Sequence, residues 1–250
     1  MMLSLCRMEL LRLKKSVSAW VIAVLVILLG VFDVIFTIKL EKSDINICNI
    51  ITSDFASRIT LLLLGVLLAG YIAGEYKDGF IKSIAGQIPH KGMLALSKIV
   101  MTIIFTSIIF LLYFASITIT SLFFSKDVVV NFGFDPRHVI LWFTIFIIHI
   151  SISSMFILIA ELTRVTSWVI GVTLFICFDM TSLLYAMINI LIEKIGIKSV
   201  DISVFMLDAN LSQMELGVSD QCIIRSLVIG ILFLILMALA GMKIQKVKDV

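Results

Sequence analysis

The sequence predicts an all-α membrane protein with six transmembrane helices, an N-terminal interfacial amphipathic helix and a cytoplasmic coupling helix. Hydrophobic residues make up 61% of the 250-residue chain and charged residues only 15%, and the mean hydropathy is +1.17. Because soluble domains have about 25% charged residues, this composition excludes a soluble protein. The whole chain, residues 1–250, is predicted to form a single transmembrane domain.

Six apolar runs are long enough to cross a bilayer, whose hydrocarbon core requires about 20 residues per helix. The predicted spans are approximately residues 17–38, 55–74, 99–124, 138–160, 168–192 and 223–241. Each is expected to be helical, because a lipid-exposed segment must satisfy its own backbone hydrogen bonds and no run alternates like a barrel strand. Asp135 followed by Pro136 predicts where the fourth helix begins, with an acidic N-cap and a proline at the first helical position.

The distribution of basic residues predicts which side the termini face. An even number of spans places both termini on the same side, and twelve of the twenty Lys and Arg residues fall there. Since cytoplasmic segments carry an excess of Lys and Arg, both termini are predicted to be cytoplasmic, in a multi-pass protein of a bacterial-type cytoplasmic membrane. The net charge of only +3 gives no indication of nucleic-acid binding.

Residues 1–15 have the pattern of an amphipathic helix that lies in the lipid interface. Arg7, Lys14 and Lys15 would face acidic headgroups on one side of this helix. Glu9 and Arg12 interrupt its apolar side. A basic flank that forms no helix of its own is the alternative interpretation.

The largest cytoplasmic loop, residues 75–92, contains apolar residues spaced like one face of a helix. Tyr76, Phe80 and Ile84 recur at every fourth position, which predicts a short coupling helix with an apolar stripe. Such a stripe is typical of a surface that docks a partner. It is equally typical of a helix that lies on the membrane surface, and periodicity does not separate the two.

This loop resembles the loop between spans two and three of type-2 ATP-binding-cassette (ABC) exporter permeases. The positions of that family's pattern are filled by Glu75, Gly79, Pro89, Lys91 and Lys98. The resemblance extends to the interfacial N-terminal helix, the six spans with both ends inside and the long outer loop between spans five and six. It implies a permease that forms a homodimer or pairs with a related permease, and that binds a separate cytosolic ABC ATPase through this loop.

No G-x-x-x-x-G-K-S/T phosphate-binding loop occurs in the sequence, so energy is expected to come from another polypeptide. The resemblance implies that ATP and Mg are bound by the partner ATPase and that this chain has no cofactor. An intramembrane enzyme is disfavoured, because no H-E-x-x-H or G-x-S-x-G motif occurs and His90, His138 and His149 are too far apart for a metal site. The chain is therefore predicted to be a transport subunit with no catalytic or metal-binding residues.

Three ionisable residues lie within the predicted spans, where each costs about 2.5–3.5 kcal/mol at mid-bilayer. Asp33 falls in the outer third of the first span, and His149 and Asp179 fall near the midpoints of spans four and five. A short link makes those two spans antiparallel neighbours, so we expect a His149–Asp179 pair, with a structural role favoured over a transport role. The alternative function is an ion channel or ion-coupled secondary carrier that uses all three residues, although the sequence shows no paired interrupted helices.

Small residues recur at every fourth position in the second span, in two rows. One row is Gly65, Ala69 and Ala73, and the other is Gly70 and Gly74. This spacing permits close helix approach. Packing within the chain and packing between two chains are both consistent with it.

The outer loop, residues 193–221, contains an apolar stretch that is too short to span a bilayer. It predicts either a re-entrant helix or a cap on the bundle. Cys48 and Cys222 would share the oxidising face, but no spacing rule supports a disulfide between them. The substrate is predicted to be hydrophobic or amphipathic, such as a peptide, a toxin or a drug, because the spans contain most of the 18 phenylalanines.

Overall fold

The structure is a computed structural model that describes residues 2–41, 45–77, 92–124, 129–195, 201–215 and 217–247. Its regular structure there is almost entirely helical, which confirms the all-α prediction. The helices are α1 (Met2–Lys15), α2 (Val17–Glu41), α3 (Ile47–Ala56), α4 (Arg58–Lys77), α5 (Gly92–Phe124), α6 (Pro136–Thr163), α7 (Thr166–Cys177), α8 (Met180–Lys194), α9 (Leu207–Ser212) and α10 (Asp220–Val247). A short 3-10 helix, Ile202–Phe205, precedes α9.

Four of these helices, α2, α5, α6 and α10, are each long and apolar enough to cross a membrane. Two helix pairs pass the same test only when each pair is taken as one span. The α3–α4 pair is bent by 50° and the α7–α8 pair by 71°. The described helices therefore supply four to six candidate membrane spans.

The expectation of an uninterrupted helix in span five is wrong, whereas span two is continuous from Arg58 onwards and a further helix precedes it. The α3–α4 break falls at Ser57, which has extended backbone. The α7–α8 break falls at Phe178 and Asp179, and Asp179 has a left-handed backbone with a φ of 60°. A non-glycine residue in that region stops the helical hydrogen-bond ladder, and hydropathy counts do not detect such a conformation.

The fourth predicted span begins where the sequence indicated. Asp135 Oδ1 accepts a hydrogen bond from the Arg137 amide at 2.9 Å, and Pro136 is the first residue of α6. His138 completes a capping box, because its Nδ1 accepts from the Asp135 amide at 3.1 Å. The side chains at the start of α6 thus satisfy backbone donors that the helix leaves unpaired.

A two-residue parallel strand pair, which the sequence analysis did not predict, joins the segments before α3 and α6. Strand β1 (Ile45–Asn46) pairs with strand β2 (Val130–Asn131). The chain turns at Gly133, whose φ is 51°. A Cβ at this position would lie 1.9 Å from the side-chain nitrogen, Nδ2, of Asn46. Only glycine fits at this close approach.

The two rows of small residues in α4 face different surroundings. A Cβ on Gly65 would lie 2.4 Å from the Thr173 side chain of α7, so this position packs within the chain. Ala69 is fully buried, and the side chain of Ala73 lies outside the described set. Gly70 and Gly74 have no atom within 4 Å of an added Cβ, so that row faces open space.

The predicted outer segment packs on the bundle through α9. Helix α9 has six residues and buries Leu207 and Leu211 against α6 and α10, and it is far too short to re-enter the membrane as a helix. All four cysteines are free, with Cys48 and Cys222 buried at separate positions. No disulfide joins these two residues.

Helix α4 defines two opposite ends of the bundle. Its first residue, Arg58, and Glu75 near its last turn are separated by about 26 Å at 1.5 Å per residue. The end with Asp179 and α9 is called the Arg58 end, because Arg58 contacts Asp179. The end with α1 and the start of α5 is called the Glu75 end, because Glu75 contacts Arg12 and Lys98.

Single cysteines can test the predicted orientation in a background without the four native cysteines. Ser212→Cys, at the exposed C-terminus of α9, should react with an impermeant maleimide on intact cells. Lys246→Cys, near the end of α10, should react only after permeabilisation, because α10 runs from one end of the bundle to the other. The opposite labelling pattern would invert the predicted orientation, and labelling of both in intact cells would contradict the membrane path of α10.

Candidate functional site

Five ionisable side chains from four helices meet at the Glu75 end and are called the ion cluster. They are Glu9 and Arg12 of α1, Glu75 of α4, Lys98 of α5 and Glu161 of α6. Apart from Arg12, each of these residues is at most 3% exposed. Charges in such surroundings are stable only when they are paired and hydrogen-bonded.

Glu75 is the centre of the ion cluster because each of its carboxylate oxygens contacts a different cation. Lys98 Nζ lies 3.0 Å from Glu75 Oε2 and 3.2 Å from Glu161 Oε1. Arg12 donates from Nη1 to Glu75 Oε1. It also donates from Nη2 to the carbonyl oxygen of Tyr71 at 2.8 Å. Helices α1, α4, α5 and α6 are therefore joined through two carboxylates and two cations.

The acidic and basic residues that interrupt the apolar side of α1 are the residues that attach it to the bundle. Leu5, Glu9 and Leu13 lie on one face of α1, and all three are buried. The Tyr71 hydroxyl donates to Glu9 Oε2, and the Arg12 guanidinium lies 4.4 Å from the centre of the Tyr71 ring. The predicted N-terminal helix is confirmed, and its polar interruptions bind α4.

The protonation of Glu9 affects the charge balance of the ion cluster. Burial raises the pKa of Glu9 above its ordinary value of 4.5, and the negative charge of Glu75 raises it further. The Tyr71 hydroxyl and the Arg12 guanidinium oppose this rise. When Glu9 is protonated, the cluster holds two cations and two carboxylates, so its charges cancel.

The ion cluster lies where both flanks of the predicted coupling loop enter the bundle. Glu75 is in the last turn of α4, which ends at Lys77, and Lys98 is in the second turn of α5, which begins at Gly92. The Glu75–Lys98 ion pair therefore ties together the two flanks of residues 78–91. Tyr76 belongs to α4, but its side chain is not described. The other predicted coupling residues lie outside the described residues; they are Gly79, Phe80, Ile84, Pro89 and Lys91.

The predicted His149–Asp179 pair is wrong. Asp179 lies at the α7–α8 break, where its Oδ1 is 2.5 Å from Arg58 Nη1. His149 is fully buried in α6, where its Nδ1 lies 2.9 Å from the Ile145 carbonyl oxygen and its ring lies 5.4 Å from the Phe110 ring. The two side chains therefore have different partners, Arg58 for Asp179 and the Ile145 carbonyl oxygen for His149.

Asp33 has a carboxyl partner that the sequence analysis missed. Its side chain lies beside that of Asp54 in α3. Asp54 lies in α3, three residues before the break at Ser57, and the predicted second span began only at residue 55.

Comparisons with known proteins give no family for the chain: no protein-family model matches it, and no curated protein matches it. Within the described ranges, no group of three or more His, Cys, Asp and Glu residues could hold a metal ion. The resemblance to type-2 ABC exporter permeases therefore stays a prediction from the sequence. The resemblance did not predict the ion cluster.

Replacing Lys98 should strongly destabilise the protein. Lys98→Met removes the cation between Glu75 and Glu161, and breaking a buried ion pair costs about 3–5 kcal/mol of unfolding free energy. Chemical unfolding of the purified protein in detergent measures this loss. The matched control is Lys14→Met, an exposed lysine of α1, which should change stability by less than about 0.5 kcal/mol.

A double variant separates charge pairing from packing at the same position. Lys98→Met with Glu161→Gln should recover part of the lost stability, since fewer carboxylates remain without a cation. Equal unfolding free energies for Lys98→Met and Lys14→Met would show that the Lys98 ion pairs do not stabilise the fold.

The stability of the protein should depend on pH through Glu9. Because the folded state raises the pKa of Glu9, the folded chain retains a proton that the unfolded chain has lost, and stability falls as pH rises through that window. Glu9→Gln cannot lose this proton, so its melting temperature relative to the native chain should rise as pH increases from about 5 to 8. Glu193→Gln, at an exposed acid of α8, is the control. A melting difference that does not change with pH would contradict this assignment.

Proposed function

We propose that this chain is the transmembrane permease subunit of an ATP-driven ABC exporter. It moves a hydrophobic or amphipathic substrate, such as a peptide, a toxin or a drug, out of the cell. Two copies, or one copy and a related permease, assemble with cytosolic ATPase subunits that bind ATP and Mg. The observation that carries this proposal is the Glu75–Lys98 ion pair at the flanks of residues 78–91.

The ion cluster supports a coupling role because it converts displacement of one loop into displacement of several helices. An ATPase that pulls on residues 78–91 pulls on Glu75 and Lys98 at the same time. Through Arg12 and Glu161, these two residues also contact α1 and α6. Buried ion pairs are stable only in restricted geometries. The four helices must therefore move together, or their charged side chains must form different ion pairs. Rigid-body movements of this kind are a common form of conformational switching.

Two further features of the structure are consistent with an exporter subunit. Gly70 and Gly74 of α4 leave an open strip, where the helix of a second permease could approach closely. Helices α2 and α10 expose many large apolar side chains, including Phe32, Phe36 and Leu236. These side chains require lipid or another apolar helix as their neighbours.

An ion-coupled secondary carrier is the second candidate, and two observations favour it. The α3–α4 and α7–α8 pairs are interrupted helices, which many secondary carriers use to build their binding sites. Asp33 and Asp54 place two carboxyl groups side by side, and carboxyl groups within the membrane are proton-carrying side chains in many carriers. Such a carrier needs no ATPase, so the presence of an ATPase partner separates the two candidates.

The decisive experiment is purification of the tagged chain from membranes of its own organism. We expect an ATPase to co-purify and the isolated complex to hydrolyse ATP. Phe80→Asp places a charge in the apolar stripe of the loop, so recovery of the ATPase should fall by more than about tenfold, as for an aromatic residue central to an interface. Membrane insertion of the variant should be unchanged.

Phe132→Asp is the matched control, because Phe132 is an exposed aromatic residue at the Arg58 end. This variant should retain the ATPase. Full ATPase recovery with Phe80→Asp would contradict the assignment of the loop as the docking site. A native chain that binds no ATPase, and that transports only when a proton gradient is present, would establish the carrier instead.

A further inference from the structure

A cavity of about 300 Å³ lies at the Arg58 end, on the side of the bundle opposite the ion cluster. Helices α6, α7, α8 and α10 form its walls, and the segment around α9 closes it. The apolar walls include Met155, Phe175 and Phe233. The polar side consists of Thr181 and Tyr185 of α8 and Asp208 of α9. The cavity is within the size range of small-molecule binding sites, about 300–1,000 Å³.

Asp208 presents a buried carboxylate to this cavity and has no cationic partner among the described residues. Asp208 is only 7% exposed. The Thr181 hydroxyl donates to Asp208 Oδ2, and the Tyr185 hydroxyl donates to Oδ1 at 2.6 Å. None of the ion pairs between described residues involves Asp208, and Arg58 instead binds Asp179.

The contrast with the ion cluster shows what Asp208 lacks. Glu75 and Glu161 are buried to a similar degree, and each contacts the Lys98 ammonium. A buried carboxylate without a counter-charge is costly, and two neutral hydroxyl donors offset only part of that cost. A carboxylate accepts about four hydrogen bonds, so Asp208 can accept further donors from the cavity.

We propose that this cavity binds an amphipathic amine, with its ammonium group at Asp208 and its apolar chain against Met155, Phe175 and Phe233. The charge of Asp208 selects a cationic head, and the aliphatic and aromatic walls select a hydrocarbon body. This inference goes beyond the exporter proposal, because binding at the cavity requires neither an ATPase nor transport. The ammonium group can belong to a free amphiphile or to an ethanolamine lipid.

The test is direct binding of dodecylamine to the full chain in phosphatidylcholine nanodiscs, with empty nanodiscs subtracted. Dodecanoate, which has the same chain length and the opposite charge, is the comparison probe. We expect saturable binding of dodecylamine at one site per chain and no saturable binding of dodecanoate. Equal binding of the two probes would overturn the proposal.

Substitutions at Asp208 and elsewhere identify the group that binds the amine. Asp208→Asn should weaken dodecylamine binding by about tenfold or more, because it removes a charge-assisted hydrogen bond. Glu215→Gln removes an exposed acid from the same outer segment and should leave the affinity unchanged. An unchanged affinity in Asp208→Asn would overturn the proposal.

A further variant tests the location of the amine if Asp208→Asn folds poorly. Met155→Trp fills the cavity from the apolar wall and should also abolish saturable binding, and retention of binding in that variant would place the amine elsewhere.

The lipid composition of the nanodisc separates the two sources of the ammonium group. If an ethanolamine lipid occupies the cavity, replacing part of the phosphatidylcholine with phosphatidylethanolamine should weaken dodecylamine binding by competition. If a free amphiphile is the ligand, the affinity should be the same in both lipid mixtures. Either result supports an ammonium site and assigns its source.

Discussion

The architecture of the Glu75 end depends on one shared carboxylate. Glu75 binds Arg12 of α1 through one oxygen and Lys98 of α5 through the other. Such a network contributes modest net stability, because the desolvation of its charges offsets much of their attraction. It does, however, restrict the geometry of the helices that it joins. The four helices consequently have a defined arrangement at the ends of α4 and α5 that flank residues 78–91 in the chain.

The sequence predicted the features that depend on local composition. Run lengths located the apolar helices, and the Asp135–Pro136 pair located the start of α6. The resemblance selected Glu75 and Lys98, but Glu161 was missed, as were the roles of Glu9 and Arg12. Arg12 and Glu75 are separated by 63 positions in the chain, and no local pattern encodes such a contact. The available signal was the interruption of the apolar face of α1, which indicated a buried polar partner.

The incorrect predictions share one cause, which is the assumption that each apolar run is a straight helix. The His149–Asp179 pair was inferred from equal depth along two continuous spans. A single residue with left-handed backbone, Asp179, ends α7 and places its own carboxylate beside Arg58. Asp54, which lies beside Asp33, similarly belongs to the short helix α3 that precedes the α3–α4 bend. Hydropathy measures how apolar a segment is and contains no information about where its backbone turns.

The short length of α7 has a consequence for the surrounding lipid. Its 12 residues extend about 18 Å, whereas the hydrocarbon core of a bilayer is about 30 Å thick. Helix α8 is bent by 71° relative to α7 and adds little to the membrane depth that α7 spans. A helix shorter than the membrane is accommodated by thinning of the bilayer. The membrane beside α7 is therefore expected to be compressed, which would favour residence of the protein in regions of thin bilayer.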